Sequence, residues 1–143
     1  MRNSRDFTFD AALQLKDAGA VTASGAAQVG GSAKILDMGA ARFDGRAIVD
    51  ITAIETDTGN ELYTILIQGS NSATFASTNV NLGATLVGDS SVSLESVDST
   101  IGSREIAISN EVNGTVYRYV RAYTIVAGTI VSGINYIAFL VRD

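Results

Sequence analysis

The sequence predicts an all-β, single-domain jelly roll or β-sandwich of about eight antiparallel strands with an extended N-terminal arm. Three observations predict it. Runs of alternating or β-branched residues recur along the chain, turn-forming residues separate them about every ten positions, and no stretch carries a convincing helical period. The 143 residues suit one domain, and a hydrophobic share of 46% excludes a disordered chain. No linker or internal repeat divides it. The expected organisation is residues 1–33 as arm and loop, then residues 34–143 as the sandwich.

Residues 1–9 are polar and charged with two phenylalanines, as in an arm. Asp10–Ala20 reads two ways. Asp10 suits the cap of a short helix, yet Leu13 and Leu15 alternate with Gln14 and Lys16 as in a strand, and the extended reading is preferred. Val21–Ala33 is mostly Ala, Gly and Ser and reads as a loop. Strands are then expected around Ile35–Met38, Arg46–Ile54, Leu62–Gln68, Val80–Val87, Val92–Val97, Arg104–Ile108, Thr115–Val126 and Ile134–Val141. Leu62–Gln68 is nearly all apolar or β-forming, which suits a strand covered on both faces. Ser70–Ser77 reads as a polar loop with Phe75 as its anchor, and Asn113-Gly114 is the strongest hairpin turn signal.

Composition narrows the chemistry. The chain has no Cys, His, Pro or Trp. Without Cys or His there is no disulfide framework, thiolate nucleophile or imidazole base, and zinc would meet only carboxylates. No enzyme is expected: catalysis is left only to carboxylates, Lys, Arg, Tyr, Ser or Thr, and for a carboxylate-only glycosidase no acidic pair is marked. No cofactor or metal is expected either. Asp89, Glu95 and Asp98 lack the alternation of a calcium loop and read as solvated acids. Asp57-Thr58-Gly59 matches the aspartic-protease triplet, but its flanks are polar and it reads as a turn. Gly25–Ser32 is glycine-rich like a phosphate loop, yet Gly31 stands where the lysine would be, so it reads as a flexible loop.

Charge is unevenly placed. The formal net charge is −5, which disfavours binding to nucleic acid. No basic residue lies between Arg46 and Arg104, so that stretch carries −7 and the remainder +2. Two readings stand side by side: an acidic solvated face, or a molecule that offers different ends to different partners. The start shows no secretory signal, and the apolar runs are too short to cross a bilayer, so a soluble protein with no membrane partner is expected.

The stretch Tyr117–Tyr123 (YRYVRAY) stands out most. On one strand Tyr117, Tyr119, Arg121 and Tyr123 share a face. Either the rings fill the core with hydroxyls at its edge, the preferred reading, or the face is an interface stripe, since Tyr and Arg are enriched at binding hot spots.

In order and spacing, several stretches resemble the small jelly-roll cement (decoration) proteins of tailed-bacteriophage capsids. They are Asp10–Ser24 (DAALQLKDAGAVTAS), Ile35–Gly39 (ILDMG), Leu66–Ser70 (LIQGS), the tyrosine–arginine strand, and the glycine-bounded C-terminal strand. The similarity covers nearly the whole domain, and residues 1–9 have no counterpart. The resemblance implies a structural protein that binds the outer surface of an HK97-type shell and ties neighbouring capsomers together. Its partner would be the major capsid protein, its place the outside of the virion after synthesis in a bacterial host cytoplasm, and its form a dimer or trimer. The expected contacts are the N-terminal segment and loops at one end of the sandwich, with Arg2, Arg5, Arg42 and Arg46 pairing with acidic patches. Tyr117, Tyr119 and Arg121 complete the expected interface. The alternative is a glycan- or receptor-binding β-sandwich module of a virion.

Overall fold

A computed structural model describes residues 9–77, 79–88 and 101–142. Asp10 accepts from the Ala12 amide at 2.9 Å and caps a single 3-10 turn, Ala11–Leu13. Then come six short strands: β1 (Gln14–Lys16), β2 (Ala20–Val21), β3 (Gly25–Ala26), β4 (Gln28–Val29), β5 (Ser32–Ala33) and β6 (Leu36–Asp37). Long strands follow as β7 (Asp44–Ile54), β8 (Leu62–Ser70), β9 (Val80–Gly88) and β10 (Gly102–Ser109). The hairpin β11 (Glu111–Val112) and β12 (Thr115–Val116) leads into β13 (Tyr119–Ala127) and β14 (Ile134–Arg142).

Two antiparallel sheets pack face to face. One has the order β1-β14-β7-β10, with β2 also on β14; the other has β3-β13-β8-β9, with β6 also on β13. If β1 and β2 count as one strand, and β3 and β6 as another, eight strands run between the two sheets in jelly-roll order, switching sheet at every step except the β8–β9 hairpin. The all-β sandwich is therefore as expected. Alternation explains the packing: Ala47, Val49 and Ile51 of β7, and Ile134, Tyr136, Ala138 and Leu140 of β14, all point inward. They meet Tyr63, Ile65 and Ile67 of β8 and Val120 and Ala122 of β13. On the outer side of Leu62–Gln68 only Leu66 is buried, whereas Leu62, Thr64 and Gln68 are half-exposed, so cover on both faces holds for one residue of four.

Two expected boundaries are corrected. Residues 14–33 are not an arm or a loop: β1 and β2 extend one sheet along β14, β3 extends the other along β13, and Leu15 and Ala27 are buried. Small side chains fail to signal these strands because edge pairing needs only backbone groups. Gly25–Ser32 is likewise ordered, with Gly30 (φ 62) and Gly31 (φ 81) turning the β4–β5 hairpin. The single strand expected at Thr115–Val126 is broken at residues 117 and 118. There the Tyr117 amide turns to Asn110 O at 2.7 Å, and the Arg118 amide to Asn71 Oδ1 at 3.0 Å. The expected strand Val92–Val97 and the acids Asp89, Glu95 and Asp98 lie outside the described residues.

Asn113 (φ 51) and Gly114 (φ 82) make the expected hairpin turn between β11 and β12, both with the positive φ of a type I′ geometry. The strand directions gather the loops into two groups. Residues 55–61 and 128–133 share one end of the sandwich, while 38–43, 71–77 and 110–118 share the other. Phe9 packs edge-on against Phe139, centroids 5.4 Å apart, on the outer face of the β14 sheet.

Candidate interaction surface

On β13 the two-residue period sends Val120, Ala122 and Thr124 inward and leaves Tyr119, Arg121, Tyr123 and Ile125 on the outer face. This corrects the preferred reading of the tyrosines as core. Tyr136 crosses the interior from the opposite sheet, and its hydroxyl meets Thr124 Oγ1 at 2.6 Å. That ring leaves room for only small or β-branched side chains on the facing strand. The core tyrosines are Tyr63 and Tyr136, whose hydroxyls burial raises to about 12. Tyr117 leaves the stripe as well: with the strand broken, its Cβ packs against Gly69 on the inner side of the sheet.

The outer face has a defined centre. The Arg121 guanidinium lies 4.3 Å from the Phe75 ring and 5.1 Å from the Tyr123 ring, and its Nε donates to Gln68 Oε1 at 3.0 Å. Phe75 reaches it because the 71–77 loop folds back over the sheet edge. Ser70 Oγ donates to Ser77 O at 2.8 Å and accepts from the Ser72 amide, and Phe75 itself takes a left-handed φ of 56°. Phe75 thus anchors that loop as expected. Leu66, buried, pairs with Tyr123 across β8 and β13, and Ile125, 43% exposed, extends the apolar surface beyond Tyr123.

The other expected contacts fare differently. Arg2 and Arg5 lie outside the described residues. Arg42 pairs with Asp44 at 2.9 Å and Glu111 at 3.3 Å, and Arg46 pairs with Glu105 at 3.0 Å. Arg118, not singled out from the sequence, holds Asp37 through two nitrogens at 2.8 and 2.9 Å. Those bonds draw the Asp37 carboxyl down to about 2.

The acidic stretch contains two buried structural anchors. Glu55 Oε2 accepts from the amides of Val131 (3.0 Å), Ser132 (2.8 Å) and Gly133 (2.7 Å), and these bonds hold its carboxyl below the usual range despite burial. Glu61 is fully buried; burial raises its carboxyl, but bonds from the Thr58 hydroxyl and from the Thr58 and Gly59 amides outweigh that. Both stay ionised near neutral pH and neither serves as a proton donor. The Asp57-Thr58-Gly59 triplet is the turn these bonds close. Its Thr58…Glu61 spacing, that of a capping box, was the available signal for Glu61. No such signal marked Glu55.

Two further buried polar groups escaped the sequence. Lys16 gives its ammonium to the carbonyls of Asp17, Gly19 and Tyr136 at 2.8–2.9 Å, beneath a cleft of about 450 Å³ lined chiefly by residues 17–28. Its donors are spent on the backbone, so it offers none to a ligand. Asn110 accepts from the Phe43 amide at 2.7 Å and donates to Ala41 O and Tyr117 O. Among the described residues no three acidic side chains gather to hold a metal, and no helix is long and apolar enough to cross a membrane.

No protein-family model matches the chain, and no curated protein matches it either.

Proposed function

We propose that this chain is a capsid decoration protein that binds the outer surface of an HK97-type shell and links neighbouring capsomers. One observation carries the reading. The five stretches that resemble decoration proteins fall on strands that are mutual neighbours: β1 and β2 beside β14 in one sheet, and β6, β13 and β8 side by side in the other. Short similarities that land on contiguous strands support a shared fold better than scattered ones would. The outward tyrosines add to it, because they spread over the open face of a sheet instead of ringing the cleft. A broad flat contact suits a shell, where many weak sites add up. The glycan- or receptor-binding alternative asks for aromatic side chains around a groove.

The test is co-sedimentation of the purified protein with shells stripped of decoration, with light scattering on the free protein. Saturable binding at the stoichiometry of two-fold or three-fold lattice positions is expected, with a matching dimer or trimer. No binding to mature, expanded shells would overturn the reading and turn attention to glycan arrays.

A further inference from the structure

Arg121 differs from its neighbouring arginines in what it lacks. Arg42, Arg46 and Arg118 each spend their charge on a carboxylate of this chain. Arg121 meets no carboxylate among the described residues; its only hydrogen bond there is from Nε to Gln68. Its two terminal nitrogens make no bond among those residues, and neither is sealed from solvent. Two aromatic rings and an amide nonetheless hold the guanidinium in place, and partial burial costs it some hydration, which lowers its pKa.

These features have a common consequence. A guanidinium binds a carboxylate through two parallel N–H bonds, and the bond is strongest when the fork is already oriented and poorly hydrated. Binding usually loses free energy in ordering a long side chain, and here the rings and Gln68 have already ordered it. Beside the fork, Tyr123 and then Ile125 on the same face of β13 present an apolar surface.

We propose that the outer face of β13 and β8 docks an acidic protein segment, with an aspartate or glutamate carboxylate seated on Arg121 and a neighbouring apolar side chain resting on Tyr123 and Ile125. The commitment to a carboxylate partner comes from charge complementarity, since among the described residues Arg121 has no carboxylate of its own chain. The inference deepens the decoration reading by naming the chemistry the shell would present, yet it needs only that the chain be a binding module.

The probe is an acetylated, amidated hexapeptide of alternating glutamate and leucine, set against the same peptide with glutamine for glutamate. Binding to the full chain is followed by NMR at the Arg121 Nε–H and the amides of residues 119–125. Saturable shifts are expected with the glutamate peptide and not with its glutamine counterpart, about tenfold weaker in Arg121→Gln and weakened by added salt. Phe75→Leu, which removes one ring and keeps the charge, is expected to weaken binding by a smaller factor. Equal shifts with both peptides, or none at millimolar peptide, would overturn the inference without recourse to any variant. The same variants are then taken to stripped shells. If wild-type protein fails to bind shells while the peptide result stands, the decoration reading falls and this inference survives. If wild-type and Arg121→Gln bind shells equally well, the decoration reading survives and Arg121 is not its contact.

Discussion

The two ends of the sandwich are held by opposite uses of charge. At the 55–61 and 128–133 end, Glu55 and Glu61 are buried and accept hydrogen bonds mainly from backbone amides of the loops they anchor. At the 38–43 and 110–118 end, Arg42 and Arg118 pair with carboxylates in the open, and the buried anchor is the neutral Asn110. Exposed pairs contribute little because water and salt screen them and two long side chains must be ordered. A buried acceptor is different, since its removal strands several donors at once. The formal charge of a segment thus says little about what its charges do until burial is known.

The sharpest way to break the comparison is to remove the buried carboxylates. Glu55→Ala and Glu61→Ala are expected to lower the melting temperature most among the variants named here, with Gln at either site milder because an amide oxygen still accepts. Hydrogen exchange at the amides of residues 131–133 should quicken in Glu55→Ala; unchanged exchange would show that the carboxylate is not what orders that loop. At the opposite end, Asn110→Ala is expected to cost about 1–3 kcal/mol in urea unfolding, since it strands the Phe43 amide and two carbonyls.

Acid should reveal the same asymmetry. Glu55, Glu61 and Asp37 all have folded-state pKa values below their ordinary ones, so their stabilisation is full above those ordinary values and fades as pH falls through the folded ones. For the two glutamates the fade begins below 4.5; for Asp37 it runs from 3.8 to about 2. A Glu55→Gln, Glu61→Gln double variant should flatten the decline below pH 4.5, measured by unfolding midpoint. The smallest effect is expected from Arg42→Gln, which should leave the midpoint unchanged at any salt concentration. A clear loss there would mean that the exposed pairs matter more than their solvation suggests.

Much of the sandwich was legible because alternation is a local signal. The run at Arg46–Ile54 carries much of its burial order in its own residues, Leu62–Gln68 and Ile134–Val141 mark strands by their β-forming composition, and Asn113-Gly114 names its turn by the φ values it accepts. Strands β1 and β6 fall where an extended segment and a strand were expected, whereas β2 to β5 were poorly legible because their contribution is mostly backbone pairing, to which Ala, Gly and Ser side chains give no clue. For the candidate surface, the composition of the Tyr117–Tyr123 stretch marked the strand, but alternation only says that two faces exist. It cannot say which one faces the core.

By itself, the sequence determined the fold class, the placement of most long strands and the absence of thiol and imidazole chemistry, because these depend on residue type and near-neighbour spacing. Tertiary structure decided which face of β13 is outside, since a ring from β14 occupies the space across from Thr124. It also decided which charges are anchors and which are pairs: Glu55 and the amides it holds are more than seventy residues apart along the chain, joined only where two sheets bring their loops together.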